Sequence, residues 1–141
     1  PSDPVEGAEP TTFRYEPPVR GFGITDAKEL PDGRIMLVVR KVVWGLPPFA
    51  ARIAIARLPG PGEPAVMRPE FALDLTAVAP PENYEGLALR ERDDGALDVW
   101  VISDDNLSVL QRTLVLKLRF DPAAKPVAPA DDSEAKQKAR E

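Results

Sequence analysis

The chain has 141 residues, with 18 Lys and Arg against 23 Asp and Glu and a net charge of −5, enough length for one domain with a real core. It contains no Cys and no His, which excludes Ser-His-Asp and Cys-His catalysis and Cys/His zinc sites. The acidic balance argues against a nucleic-acid partner, whose footprint is basic, and no apolar run approaches the ~20 residues of a membrane span.

Residues 1–11 (PSDPVEGAEPT) are rich in Pro and acid and read as a loose lead-in. The chain opens on Pro1 rather than Met, which reads as removal of an upstream segment. Thr12 to Tyr15 form a short strand, stopped by Pro17 and Pro18. Phe22 to Leu30 form the next, and Pro31-Asp32-Gly33 is a turn in which Pro fixes φ and Gly accepts a positive φ. Arg34 to Val43 (RIMLVVRKVV) is β-branched and too apolar for an exposed strand, so it is expected to be buried on both faces. Trp44 to Ala50 breaks the run with Gly and two Pro. Ala51 to Leu58 is a strand with a short helix as the competing reading, and Pro59 to Pro64 is a loop. Ala65 to Leu75 holds a strand interrupted at Pro69, which suggests a sheet edge.

After Ala79-Pro80-Pro81 the plan repeats. Tyr84 to Arg92 is a strand, Asp93-Asp94-Gly95 a hairpin turn, and Ala96 to Ser103 an alternating strand. Asp104 to Gln111 is a loop. Arg112 to Phe120 alternates, with Leu114, Leu116, Leu118 and Phe120 on one face and Val115, Lys117 and Arg119 on the other. Residues 121–141 lack a β pattern and read as a disordered tail.

Aligning Asp32-Gly33 with Asp94-Gly95 gives an offset of 62 residues that lays apolar run on apolar run. The first unit, about 22–75, has four strands, and the second, about 84–120, has three. The expected fold is all-β: the C-terminal blades of a β-propeller built from four-stranded antiparallel sheets, with the last blade completed by a strand from outside this chain. The partner is then the N-terminal remainder of the propeller, on the same precursor or a second chain. A complete small β-sandwich, used for interaction, is the competing architecture.

One stretch points to a family. NYEGLAL followed by LDVWVISDDNLSVLQRTLVLKL resembles the end of the domain described as esterase-like activity of phytase. The matching residues are Asn83, Glu85, Gly86, Ser103, Asp104, Asp105, Asn106, Ser108, Gln111, Arg112, Thr113 and Leu114, and Gly23 to Asp26 with Leu30 to Arg34 resemble the preceding blade. The resemblance runs from about Phe22 to Phe120. It implies a β-propeller whose greater part lies upstream, a bacterial periplasmic or secreted setting, and hydrolysis of a phosphoester or ester. A non-catalytic propeller that binds or scaffolds in the bacterial envelope is the alternative.

In such a blade the start of the first strand and the end of the second share a rim. Glu85, Ser103 to Asn106 and Arg112 are therefore expected beside Asp26, Arg40, Lys41 and the Trp44–Phe49 loop. The two Asp-Gly turns fall on the opposite rim. Glu85 and Asp26 are the catalytic candidates. Arg40, Lys41 and Arg112 are the candidates for binding an anionic substrate. Glu85, Asp104 and Asp105 carry the hard oxygen donors that suit calcium. Asp104, Asp105 and Asn106 are also good turn formers, and Arg112 can pair with Asp104 or Asp105 as a buried strut that ties the last blade shut. Trp44 and Phe49 can form a lip at the rim or pack on a neighbouring blade.

Overall fold

A computed structural model describes residues 11–45 and 48–123. The lead-in before residue 11 and nearly all of the tail lie outside it. Nine strands follow in order: β1 (Arg14–Tyr15), β2 (Gly23–Glu29), β3 (Ile35–Val42), β4 (Phe49–Ala56), β5 (Val66–Met67), β6 (Glu70–Asp74), β7 (Tyr84–Glu91), β8 (Leu97–Ser103) and β9 (Val115–Phe120). A single 3₁₀ turn, Leu75–Ala77, separates β6 from β7. Among the described residues no helix is long and apolar enough to cross a membrane.

The strands form a four-stranded antiparallel sheet in the order β2-β3-β4-β6 and a three-stranded one in the order β7-β8-β9. β1 and β5 make a small parallel ribbon. The 51–58 segment is therefore a strand, begun earlier than expected at Phe49. Pro69 splits the expected fourth strand in two: Val66–Met67 pairs with β1, and Glu70–Asp74 becomes the edge of the first sheet. A missing N–H is tolerated at such a boundary because no ladder bond depends on it.

The 62-residue repeat holds at the level of register. Glu29 pairs with Ile35, and Glu91 pairs with Leu97, so both partners advance by 62. The turns correspond bond for bond. Asp32 Oδ1 accepts from the Arg34 N–H at 3.0 Å, and Asp94 Oδ1 accepts from the Ala96 N–H at 3.1 Å. Gly33 and Gly95 sit at φ +80° and +79°, in the left-handed region where a side chain is penalised. Hydrogen bonding also lowers the pKa of both acids, from the Arg34 side chain at Asp32 and from the Ala96 backbone N–H at Asp94.

The two sheets pack face to face around one core. Met36 and Val38 from β3 and Ala51 and Ile53 from β4 meet Tyr84, Leu87, Leu97, Val99 and Val101. Leu116, Leu118 and Phe120 of β9 pack against this core from the edge. A second cluster covers the far side of the first sheet: Phe22, Leu37, Val39, Ala54, Ala56 and Met67, with Phe13, Tyr15 and Phe71 against it. β3 is thus buried on both faces, as its unbroken apolar run demands.

Equivalent positions face opposite ways. Met36 and Val38 point at the second sheet. Their equivalents 62 residues on, Asp98 and Trp100, point away from the first. Val99 and Val101, which do face the first sheet, are the equivalents of Leu37 and Val39 in its far-side cluster. The sheets therefore stack head to tail rather than as mirror partners.

Candidate functional site at one end of the paired sheets

β2 and β7 begin at the same end of the two sheets, and side chains stitch them together there. Both strands carry a bulge. The β2 ladder shifts between Ile24 and Asp26, and the β7 ladder shifts between Tyr84 and Gly86, leaving Thr25 and Glu85 as the extra residues. Thr25 Oγ1 reaches Val38 O at 3.2 Å and Tyr84 O at 3.1 Å. Asp26 Oδ2 accepts from the Leu87 N–H at 2.7 Å, and its Oδ1 accepts from the Ala27 N–H at 2.7 Å. Lys28 Nζ lies 3.7 Å from the same carboxylate. Asp26 thus bolts one sheet to the other.

The bulge turns Glu85 toward β3. Its carboxylate sits 3.4 Å from the Arg40 guanidinium, and that guanidinium lies 4.8 Å from the centre of the Phe49 ring. Both charged side chains keep contact with solvent, 25% exposed for Arg40 and 39% for Glu85. Gly86 follows because no larger residue fits: a Cβ there would run into Cγ2 of Ile102 on β8. The Glu85-Gly86 pair therefore has a steric meaning at its second position and an electrostatic one at its first.

The SDDN…QRT stretch is a self-bonded loop. Ser103 is buried, and its hydroxyl donates to Arg112 O at 2.7 Å while accepting from the Leu114 N–H at 2.9 Å, which closes the loop's neck. Asp104 Oδ1 accepts from the Asn106 N–H at 2.9 Å, and Asp105 Oδ1 accepts from the Leu107 N–H at 2.8 Å. Asn106 and Leu107 both take left-handed backbone, φ 49° and 57°, which these side-chain caps help to hold. Asn106 Nδ2 donates to Gln111 Oε1 at 2.9 Å.

Arg112 serves as a strut, though with a different partner from the one the sequence suggested. It pairs with Glu82: Nε to Oε1 at 2.8 Å, with its backbone N–H on Oε2 at 3.1 Å. Glu82 is 1% exposed, so its charge is held by this one residue's side chain and backbone. Next to it Asn83 is fully buried, and both its side-chain amide atoms are without a hydrogen-bond partner among the described residues. The Tyr84 hydroxyl donates to Pro80 O at 2.9 Å, and burial pushes its pKa up.

The expected site residues are thus sorted by geometry. Arg40 and Glu85 come together, and Asp26 lies close by as a bolt. Lys41 goes to the opposite face of β3, 5.0 Å from the centre of the Phe22 ring, because neighbours on a strand point opposite ways. Glu85, Asp104 and Asp105 are not gathered as a metal cage. Among the described residues no group of three or more acidic ligands is placed to hold a metal. Trp44 is fully exposed. Sequence reasoning missed Glu82, an acid in a Pro-Pro loop with no periodicity to flag it. It also missed Asp98, on the far face of the second sheet. Asp98 is 2% exposed and contacts Arg90 at 2.7 Å, Arg92 at 3.0 Å and Lys117 at 3.2 Å. Those cations, the Arg90 hydrogen bond first, hold its pKa at about 2 against the burial that opposes them. Register alone flags it, since Arg90 and Arg119 lie directly across from this mid-strand acid on the two neighbouring strands.

The family described as esterase-like activity of phytase (Phytase-like) matches residues 2–107. The chain belongs to this family. The match begins upstream of Phe22 and ends inside the SDDN loop, before Gln111-Arg112-Thr113. No curated protein and no solved structure matches the chain.

Proposed function

We propose that this chain forms two closing blades of a phytase-like β-propeller and lends the Arg40–Glu85 pair to a rim site that hydrolyses a phosphoester or ester. Family membership supports the class. The head-to-tail stacking supports the ring, because each sheet offers its neighbour the face opposite to the one it receives, and such stacking continues until it closes. On this reading the second sheet lacks its fourth strand, which comes from outside the chain. Export to the periplasm or beyond goes with the same reading.

The observation that carries the chemistry is the Arg40–Glu85 pair. It joins two sheets at the rim and keeps both partners partly in water. Asp26, Asp104 and Asp105 each spend a carboxylate oxygen on the backbone, whereas Glu85 does not bind a turn. In the proposed reaction Arg40 binds a phosphoryl or carbonyl oxygen and Glu85 takes a proton from the attacking water. The ester bond to the alcohol then breaks, and the alcohol leaves with the proton that Glu85 took from the water, which returns the carboxylate.

The test is Glu85→Gln in the polypeptide that carries the upstream blades with this chain. Turnover of p-nitrophenyl phosphate or p-nitrophenyl acetate is expected to fall by at least ~100-fold, with the unfolding midpoint little changed. Unaltered turnover removes Glu85 from the mechanism. The second reading, a propeller that binds without catalysis, draws on the Asp104 and Asp105 carboxylates being spent on the loop itself. It predicts no turnover in the parent protein.

A further inference from the structure

The free edge of the second sheet has a chemistry of its own. β9 pairs with β8 on one side, and among the described residues no strand takes its other side. In the first sheet the corresponding edge, on β4, is taken by β6. Alongside β9 runs a groove of about 510 Å³ between the two sheets. Its apolar walls include Met36, Ile53 and Leu73 from the first sheet and Val99, Leu118 and Phe120 from the second.

The outward face beside that edge is cationic, although the whole chain is acidic. Arg90, Arg92, Lys117 and Arg119 share two carboxylates, Asp94 and Asp98. Lys117 and Arg119 lie on β9 itself, on the face away from the core. A strand added to β9 would set its outward residues directly across from them, at the distance where cross-strand charges act.

The first sheet shows how this chain fills such a place. β6 reads Glu-Phe-Ala-Leu-Asp. Its Leu73 packs toward the core between the sheets, its Phe71 joins the apolar cluster on the far side, and its Asp74 lies opposite Arg52 of β4 with a 3.0 Å ion pair. Burial would raise the pKa of Asp74, but hydrogen bonds from Thr76 and the charge of Arg52 outweigh it and leave it lowered. We infer that the second sheet accepts a fourth strand in the corresponding place, antiparallel to β9, apolar on its inward side and, facing Lys117 and Arg119, acidic on its outward side. The inference rests on the blade reading and adds the chemistry of the partner. A second copy of this chain fits poorly, because pairing β9 with β9 sets cations against cations.

The test uses the whole chain with two probes, a soluble peptide of alternating valine and glutamate and its valine–lysine counterpart. Hydrogen exchange of the β9 amides is followed as each is added. The glutamate peptide is expected to slow alternate β9 amides and to bind at least ~10-fold tighter than the lysine peptide, a preference that weakens with salt. Lys117→Glu is expected to narrow or reverse the preference, and Lys117→Met reads the same charge if that variant does not fold. Equal binding of both peptides overturns the acidic partner while leaving the four-strand reading intact. Protection by neither peptide overturns both. Self-association through β9 without peptide assigns the edge to a second copy and overturns the inference.

Discussion

The two sheets share a hairpin register to the residue, yet they treat their outer faces differently. The far side of the first sheet is apolar: Leu37 and Val39 are fully buried there beneath Phe22, Phe13 and Tyr15. The far side of the second carries Asp98 and Trp100, with Arg90 and Lys117 over the Trp ring at 5.2 and 5.3 Å. Asp98 and Trp100 are the repeat equivalents of Met36 and Val38, which are core residues in the first sheet. One backbone plan thus serves both burial and solvent contact. The face each strand turns to its neighbour decides which, and a few substitutions of side-chain type suffice.

The sharpest way to break this contrast is to remove one large side chain from each outer face. Leu37→Ala is expected to cost roughly 2–5 kcal/mol, and Trp100→Ala about 1 kcal/mol, both read by urea unfolding. Equal costs would mean that the outer faces are not distinct. Arg112→Ala is expected to cost roughly 2–3 kcal/mol, because the buried Glu82 carboxylate loses its cation and keeps only the backbone N–H of residue 112. A change within a few tenths would mean that the strut carries no weight. Gly86→Ala is expected to cost about 1–3 kcal/mol through collision with Ile102, and Ile102→Ala should relieve it. Gly23→Ala, at the start of the matching strand, meets nothing and should be nearly silent.

The charged face also predicts a pH response. The pKa of Asp98 is lowered from 3.8 to about 2 in the folded protein. Its stabilising contribution is therefore fully present above pH 4 or so and is lost as pH falls through 3.8 toward 2. Acid titration of Asp98→Asn should show a shallower loss of stability in that window than the parent. The smallest effect is expected at Asn83. Its buried side-chain amide has no partner among the described residues, so Asn83→Leu should leave thermal stability unchanged or raise it. A clear loss would reveal a partner for that amide.

Much of the fold was legible from local rules. Turn chemistry at Asp32-Gly33 and Asp94-Gly95 marked both hairpins. Alternation from Leu114 to Phe120 placed Leu116, Leu118 and Phe120 on the core side, and the continuous run in β3 announced burial on both faces. The site was less legible. The sequence brought Arg40, Lys41, Glu85 and the SDDN loop to one rim as a single set, and one residue of strand parity sends Lys41 to the far face. Arg112 was recognised as a possible strut, but Glu82 was invisible because Pro-Pro loops carry no period.

By itself, then, the sequence determined strand order, the repeat, the turns and the family, since each depends on residues a few positions apart. Tertiary structure decided which of the rim residues meet. Asp26 reaches the Leu87 N–H across 61 residues of chain, and Arg112 reaches Glu82 across 30. Such pairings follow from how bulges re-aim side chains and how two sheets stack, and no period in the sequence encodes either.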